Sequence, residues 1–262
     1  MPIRQESPDV VMPGHQGRSY RPGMDIASTR VRTSWASWLV PLGLILLALI
    51  PVVSGALRLT QLSGGPQIIP AAARFTDSPV PVVLHIVSAT LFSIGGAFQF
   101  VPALRRGRRS WHRMAGRVLL PAGFVLALSG LWMATVYPHP AGDGPALLVV
   151  RVVFGSYMLV SLILAVRALM GRRYLVHGAW MIRAYALGVA AGTQAIALIP
   201  GSILFGPNDQ TSRAVAMAAA WVLDLAVAEL VIHRRSAGLA ATREKRARAR
   251  TALTSTLTEG SR

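Results

Sequence analysis

The sequence predicts an all-α polytopic membrane bundle of about six transmembrane helices, with both termini in the cytoplasm. Three observations carry this expectation. Apolar stretches of about twenty residues, enough to cross a hydrocarbon core of about 30 Å, recur six times. The chain is 53% hydrophobic and only 14% charged, well away from the composition of soluble domains. Of 27 Lys and Arg residues, 22 lie in the N-terminal tail, every second loop with the span ends that flank it (Arg117 and Arg167), and the C-terminal tail. Three (Arg58, Arg74, Arg213) lie in the alternate loops, and two (Arg151, Arg183) fall inside apolar segments. Loops retained in the cytoplasm carry the Lys/Arg excess, which sets the orientation.

Residues 1–34 are rich in Pro, Gly and Ser and read as a disordered cytoplasmic tail. That length is too great for the n-region of a cleavable signal, although Ser54-Gly55-Ala56 resembles a small-residue cleavage site. Residues 35–233 form the six-span membrane domain, with core spans at about 80–200. Span one, Trp35 to Leu57, lacks charge and contains Pro41 and Pro51. The outer connection, 58–79, is broken by Gly64-Gly65-Pro66, Pro70 and Pro79. Span two, Val80 to Val101, carries His85 near its outer end and Gln99 near its inner end. The loop Leu104-Arg105-Arg106-Gly107-Arg108-Arg109 precedes span three, Met114 to Tyr137. A short outer turn, Pro138 to Pro145, leads to span four at 147–169, with Arg151 near its outer end. Gly171-Arg172-Arg173 opens the next cytoplasmic loop, before span five at 179–199 with Arg183 and Gln194. Span six, 212–233, contains Asp224 and Glu229. Residues 234–262 are a basic cytoplasmic tail, read as a solvated charge run.

The net charge of +17 sits where topology and anionic inner-leaflet lipids place it, so membrane lipids, not nucleic acid, are the expected partner. The chain has no cysteine, which excludes disulfides, thiol catalysis and Cys-ligated iron–sulfur clusters. No phosphate loop, H-E-x-x-H motif or nucleophile elbow is present.

The polar groups in or beside apolar spans define the candidate sites. His112 and His177 begin spans three and five at one interface, each shortly after a Gly-Arg-Arg block, so spans two–three and four–five read as two copies of one hairpin. Histidines from two helices at one depth suit the two axial positions of a haem, with nearby arginines for the propionates. The alternative is a pair of interfacial histidines among lipid-contacting arginines. His85 and Arg151 lie at matched depth near the outer face and suit an anionic group, a quinone carbonyl in its reduced state or a carboxylate. Otherwise each snorkels to water. Arg183 and Glu229, at similar depth near the inner face, read as a structural ion pair. Asp224, close to the midplane, either bonds into the bundle as the neutral acid or belongs to a proton or cation path.

Two resemblances follow from these residues. The segments His85 … Gln99-Phe100 … Trp111-His112-Arg113-Met114-Ala115-Gly116-Arg117, then Arg151-Val152-Val153-Phe154-Gly155, then His177-Gly178-Ala179-Trp180-Met181-Ile182-Arg183-Ala184-Tyr185-Ala186-Leu187 resemble a bacterial family of multi-pass membrane proteins. That family is catalogued as a domain of unknown function (2306). This resemblance spans roughly residues 80–235 and implies the fold class and a place in the bacterial cytoplasmic (inner) membrane, but no activity. A looser resemblance is to transmembrane di-haem cytochromes b, whose haem-ligand histidines pair the second helix with the fourth and the third with the fifth. It implies His112 with His177 as one pair, whereas Arg151 stands where the partner of His85 is needed. The expected function is therefore a haem b- or quinone-linked electron-transfer protein using His112 and His177. The alternatives are a small-molecule or ion-handling protein, with His85, Arg151 and Asp224 lining a cavity, and a non-catalytic scaffold.

Overall fold

The computed structural model describes residues 36–101 and 109–259. The expectations for the 1–34 tail and for the arginines of 102–108 fall outside these residues. The described residues are helical or in turns. In chain order the helices are α1 (Ala36–Leu62), a short α2 (Ala73–Asp77), α3 (Pro79–Phe98), α4 (Arg109–Val136), α5 (Pro145–Met170), α6 (Tyr174–Phe205) and α7 (Gln210–Glu259). All except α2 are long and apolar enough to cross a membrane.

Each start has a local cause. Pro79 and Pro145 open α3 and α5, where proline's missing N–H costs nothing and its fixed φ suits the first turn. Asp209 caps α7 by accepting the Ser212 N–H at 2.7 Å, and this holds its carboxyl below the usual carboxylate range. Gly206-Pro207 ends α6, since proline cannot continue the ladder.

Several helices run further than hydropathy predicts. α4 begins at Arg109 and α6 at Tyr174, so His112 and His177 both lie inside first turns. α7 continues through the basic tail to Glu259, 50 residues or roughly 75 Å at 1.5 Å per residue. A stretch rich in Ala, Arg, Lys, Glu and Leu has high intrinsic helicity, and no proline interrupts it.

The core is built from the middle four spans. Phe92 of α3, Leu119 and Leu126 of α4, Met158 and Leu162 of α5, and Tyr185 and Leu187 of α6 form one buried cluster. Leu44 of α1 and Trp221 and Leu225 of α7 pack on its flanks. Large apolar side chains point away from this core on every long helix, as at Leu39, Val87, Val118, Val149, Ile203 and Val215. A soluble bundle would hide such faces; lipid accommodates them.

Within α3 the helix widens to a π turn over Leu91–Gly95. Tyr185 packs where a side chain at Gly96 would stand, and its hydroxyl donates to the Ser93 carbonyl at 2.7 Å. The π turn thus coincides with a buried hydrogen bond from α6 into the backbone of α3, a recognised cause of local helix distortion.

Candidate small-molecule site

A partly open cavity of about 300 Å³ lies at the end of the bundle that bears the α4–α5 turn. α2, α3, α4, the turn, α5, α6 and α7 all contribute to its lining. Its volume is at the lower end of the range for small-molecule sites, about 300–1,000 Å³. One wall is aromatic: Phe154 and Trp221 stack at 5.0 Å with an 18° interplanar angle. Elsewhere the wall is mostly aliphatic, including Leu126, Leu131, Met158 and Leu187. Such a lining favours an apolar ligand body and leaves orientation to a few polar groups.

His85 and Arg151 line this same cavity, from α3 and α5. The proton of the Ser129 hydroxyl is donated to the Val125 carbonyl at 2.6 Å, so its oxygen accepts from Nδ1 of His85 at 3.2 Å. This network favours the Nδ1–H tautomer, with Nε2 of His85 as the acceptor. His85 also borders a second cavity of about 100 Å³ between α1, α3 and α6, and Ala191 is common to both linings.

Arg151 donates to Asp143 at 2.6 Å. Arg213 holds the other carboxylate oxygen at 3.0 Å, and the Asp143 side chain is 2% exposed. Burial alone would raise the Asp143 pKa, but the hydrogen bonds and charges of Arg151 and Arg213 outweigh it and keep it below the usual carboxylate value.

Arg74 reaches the cavity from α2. Its guanidinium lies 4.7 Å from the centre of the Phe75 ring and donates to the Pro138 carbonyl at 3.3 Å. Its Nε is buried with no hydrogen-bond partner among the described residues. Burial pulls the Arg74 pKa below the ordinary arginine value, with the Asp143 charge acting the other way. Tyr137 closes this end by donating to the Ser78 carbonyl and packing edge-on against Phe75 and Trp132. His139 lines the same space, one ring nitrogen at 2.9 Å from the Ala134 carbonyl.

Gln194 is the deep polar group. It is 8% exposed, lines the cavity, and its Nε2 has no partner among the described residues. A buried amide donor without an acceptor costs free energy until something accepts from it.

The remaining candidates lie elsewhere. Asp224 is not among the lining residues; Thr193 donates to it at 3.0 Å. Arg183 and Glu229 form a two-armed pair at 2.5 and 2.9 Å, with the guanidinium also over Trp180 at 4.5 Å. His112 is exposed on α4, while His177 is half-buried with Nδ1 at 2.9 Å from the Ala165 carbonyl of α5. Neither histidine lines either cavity. Among the described residues no cluster of three or more His, Asp or Glu is placed to hold a metal ion.

Arg74, Asp143, His139 and Gln194 line the cavity but were not among the site residues expected from the sequence. The signal for Asp143 was present: it is a lone acid in an outer turn, eight residues before an arginine embedded in an apolar span. No local signal marks Arg74, whose position depends on the chain folding back through α2.

No curated protein and no solved structure matches the chain. The family described as "Predicted membrane protein (DUF2306)" matches residues 82–232, more than half of the 262 residues and a span that includes His85, Asp143, Arg151 and Gln194. The chain belongs to this predicted membrane protein family, whose function is unknown.

Proposed function

We propose that this protein is a multi-pass protein of the bacterial cytoplasmic membrane that binds a small molecule in the cavity lined by His85, Arg151 and Gln194. The arginine distribution supports an orientation with this cavity toward the outer side. The observation that carries the reading is the convergence of a buried amide donor without a partner, a histidine and an arginine on one mostly apolar space. Polar groups that merely snorkelled would have no reason to line one space, whereas a ligand gives the Gln194 amide the acceptor it lacks among the described residues.

Ala191 is exposed and borders both cavities, so a larger side chain there enters the space. The test is mass spectrometry of solvent extracts from purified protein and from Ala191→Phe. A small molecule present with the first and absent with the second supports the reading. Identical extracts contradict it.

Haem-linked electron transfer, the second reading, draws on one observation. The Ala165 carbonyl holds Nδ1 of His177 and leaves Nε2 available, the arrangement that orients metal-ligating histidines. Haem b would supply one-electron chemistry, and His112 and His177 would be its ligands. A Soret band in the purified protein that is lost in His177→Ala supports this, and a colourless protein removes it.

A further inference from the structure

We infer that the ligand of this cavity is a small organic anion, its carboxylate held by Arg74 and its far end hydrogen-bonded by Gln194. The inference rests on the cavity being a ligand site and names the chemistry that it selects. Among the lining residues, two arginines face one carboxylate. That carboxylate, Asp143, is fully engaged, one oxygen with Arg151 and the other with Arg213. Arg74 feels the Asp143 charge but forms no ion pair among the described residues. Asp77, on the same short helix, is exposed and Asp209 caps α7, and neither lines the cavity. The one hydrogen bond that Arg74 makes to the turn is long, and its Nε makes none. Three guanidiniums around one carboxylate leave this cluster net positive, which calls for an anion, and a planar carboxylate matches the donor fork of Arg74.

Length and far-end chemistry follow from the helices. His85 is six residues into α3, about 9 Å from its start at 1.5 Å per residue, and Arg74 precedes that start. The Gln194 amide needs an acceptor, and Nε2 of His85 offers itself to a donor. A hydroxyl serves both at once. The aromatic wall of Phe154 and Trp221 suits a flat body between the two ends. A hydroxyaryl carboxylate meets all three requirements.

The experiment is titration calorimetry of the full-length protein in detergent with three near-isosteric probes: 4-hydroxybenzoate, 4-hydroxybenzamide and 4-hydroxybenzamidine. Wild type, Arg74→Gln, Arg74→Lys and Ala191→Phe are compared. The expected result is binding of the anion at least about tenfold tighter than the amide, with the cation weakest. That preference should be lost in Arg74→Gln, largely kept in Arg74→Lys, and accompanied by loss of all binding in Ala191→Phe. If amide or amidine binds wild type as well as the anion and Ala191→Phe blocks it, the anion assignment is wrong and the ligand site stands. If no probe binds wild type while a molecule still co-purifies and depends on Ala191, the assignment again fails alone. If nothing binds and nothing co-purifies, both fail.

Discussion

Arg151 and Asp143, eight residues apart, meet at 2.6 Å where the α4–α5 turn folds onto the first turns of α5. The carboxylate they share with Arg213 ties α5 to α7 at the end of the bundle where the cavity lies. An acid in a short turn thereby fixes the spacing of two helices. It also determines how much positive charge the cavity retains.

Replacing Asp143 with Asn should therefore destabilise the protein. The substitution leaves Arg151 and Arg213 without a counter-charge. Breaking a buried pair costs about 3–5 kcal/mol, and these arginine side chains are about a quarter exposed, so about 1–3 kcal/mol is expected. Thermal unfolding in detergent at pH 7 measures it; a variant as stable as the parent would show the carboxylate to be incidental.

The same carboxylate gives a pH dependence with a defined sign. Its pKa is lower folded than the ordinary value of about 3.9. Its contribution is thus fully present above about pH 4 and is lost as pH falls through the lower, folded value. The stability difference between wild type and Asp143→Asn should be constant from pH 8 to 5 and shrink below about pH 4. A difference that fades near neutrality would contradict the assignment.

Arg183 and Glu229 predict a different outcome, because they join α6 to α7 away from the cavity. Arg183→Leu leaves Glu229, whose side chain is 38% exposed, without its partner and should cost about 1–2 kcal/mol, whereas Arg183→Leu with Glu229→Leu should recover much of the loss. Ligand binding should survive the double substitution. A double variant no better than the single one would mean that the pair is more than structural.

Close helix approach supplies a further contrast. A methyl at Gly192 would collide with the backbone carbonyl of Leu47 on α1, while one at Gly96 meets the ring of Tyr185. Backbone yields less readily than a side chain, so Gly192→Ala should lower the melting temperature more than Gly96→Ala. The reverse order would place the tighter constraint at the π turn.

Orientation has its own test. The 22 basic residues on one side against three on the other predict cytoplasmic reporters after Gly171 and Arg235 and outer reporters near Gly65, Gly142 and Asn208. One inverted reporter breaks the six-span order.

Hydropathy made the spans legible because a membrane helix must be apolar along its whole crossing, a requirement local in sequence. Helix ends were less legible: Arg109 to Arg113 and Tyr174 to His177 extend α4 and α6 because backbone hydrogen bonding continues beyond the apolar window. His85 and Arg151 stood out as ionisable groups in apolar runs, whereas Gln194, a neutral amide, did not. Asp224 stood out equally but lies apart from the cavity, for a reason of depth. Met217 and Trp221, one turn apart, line the cavity, and Asp224 shares their face of α7 but lies about 10 Å along the helix from Met217, where Thr193 donates to it. Thr193 and Gln194 are neighbours about 100° apart on α6, one facing Asp224 and the other the cavity. Face selection of this kind depends on the partner helix, which no local pattern records.

The most direct measurement is a cryo-EM map of the protein isolated from its native membrane, read at the cavity between Gln194, His85 and Arg74. The account predicts non-protein density within hydrogen-bonding distance of the Gln194 amide and extending toward Arg74. A map with that space collapsed, or with Gln194 turned onto another protein acceptor, would contradict it.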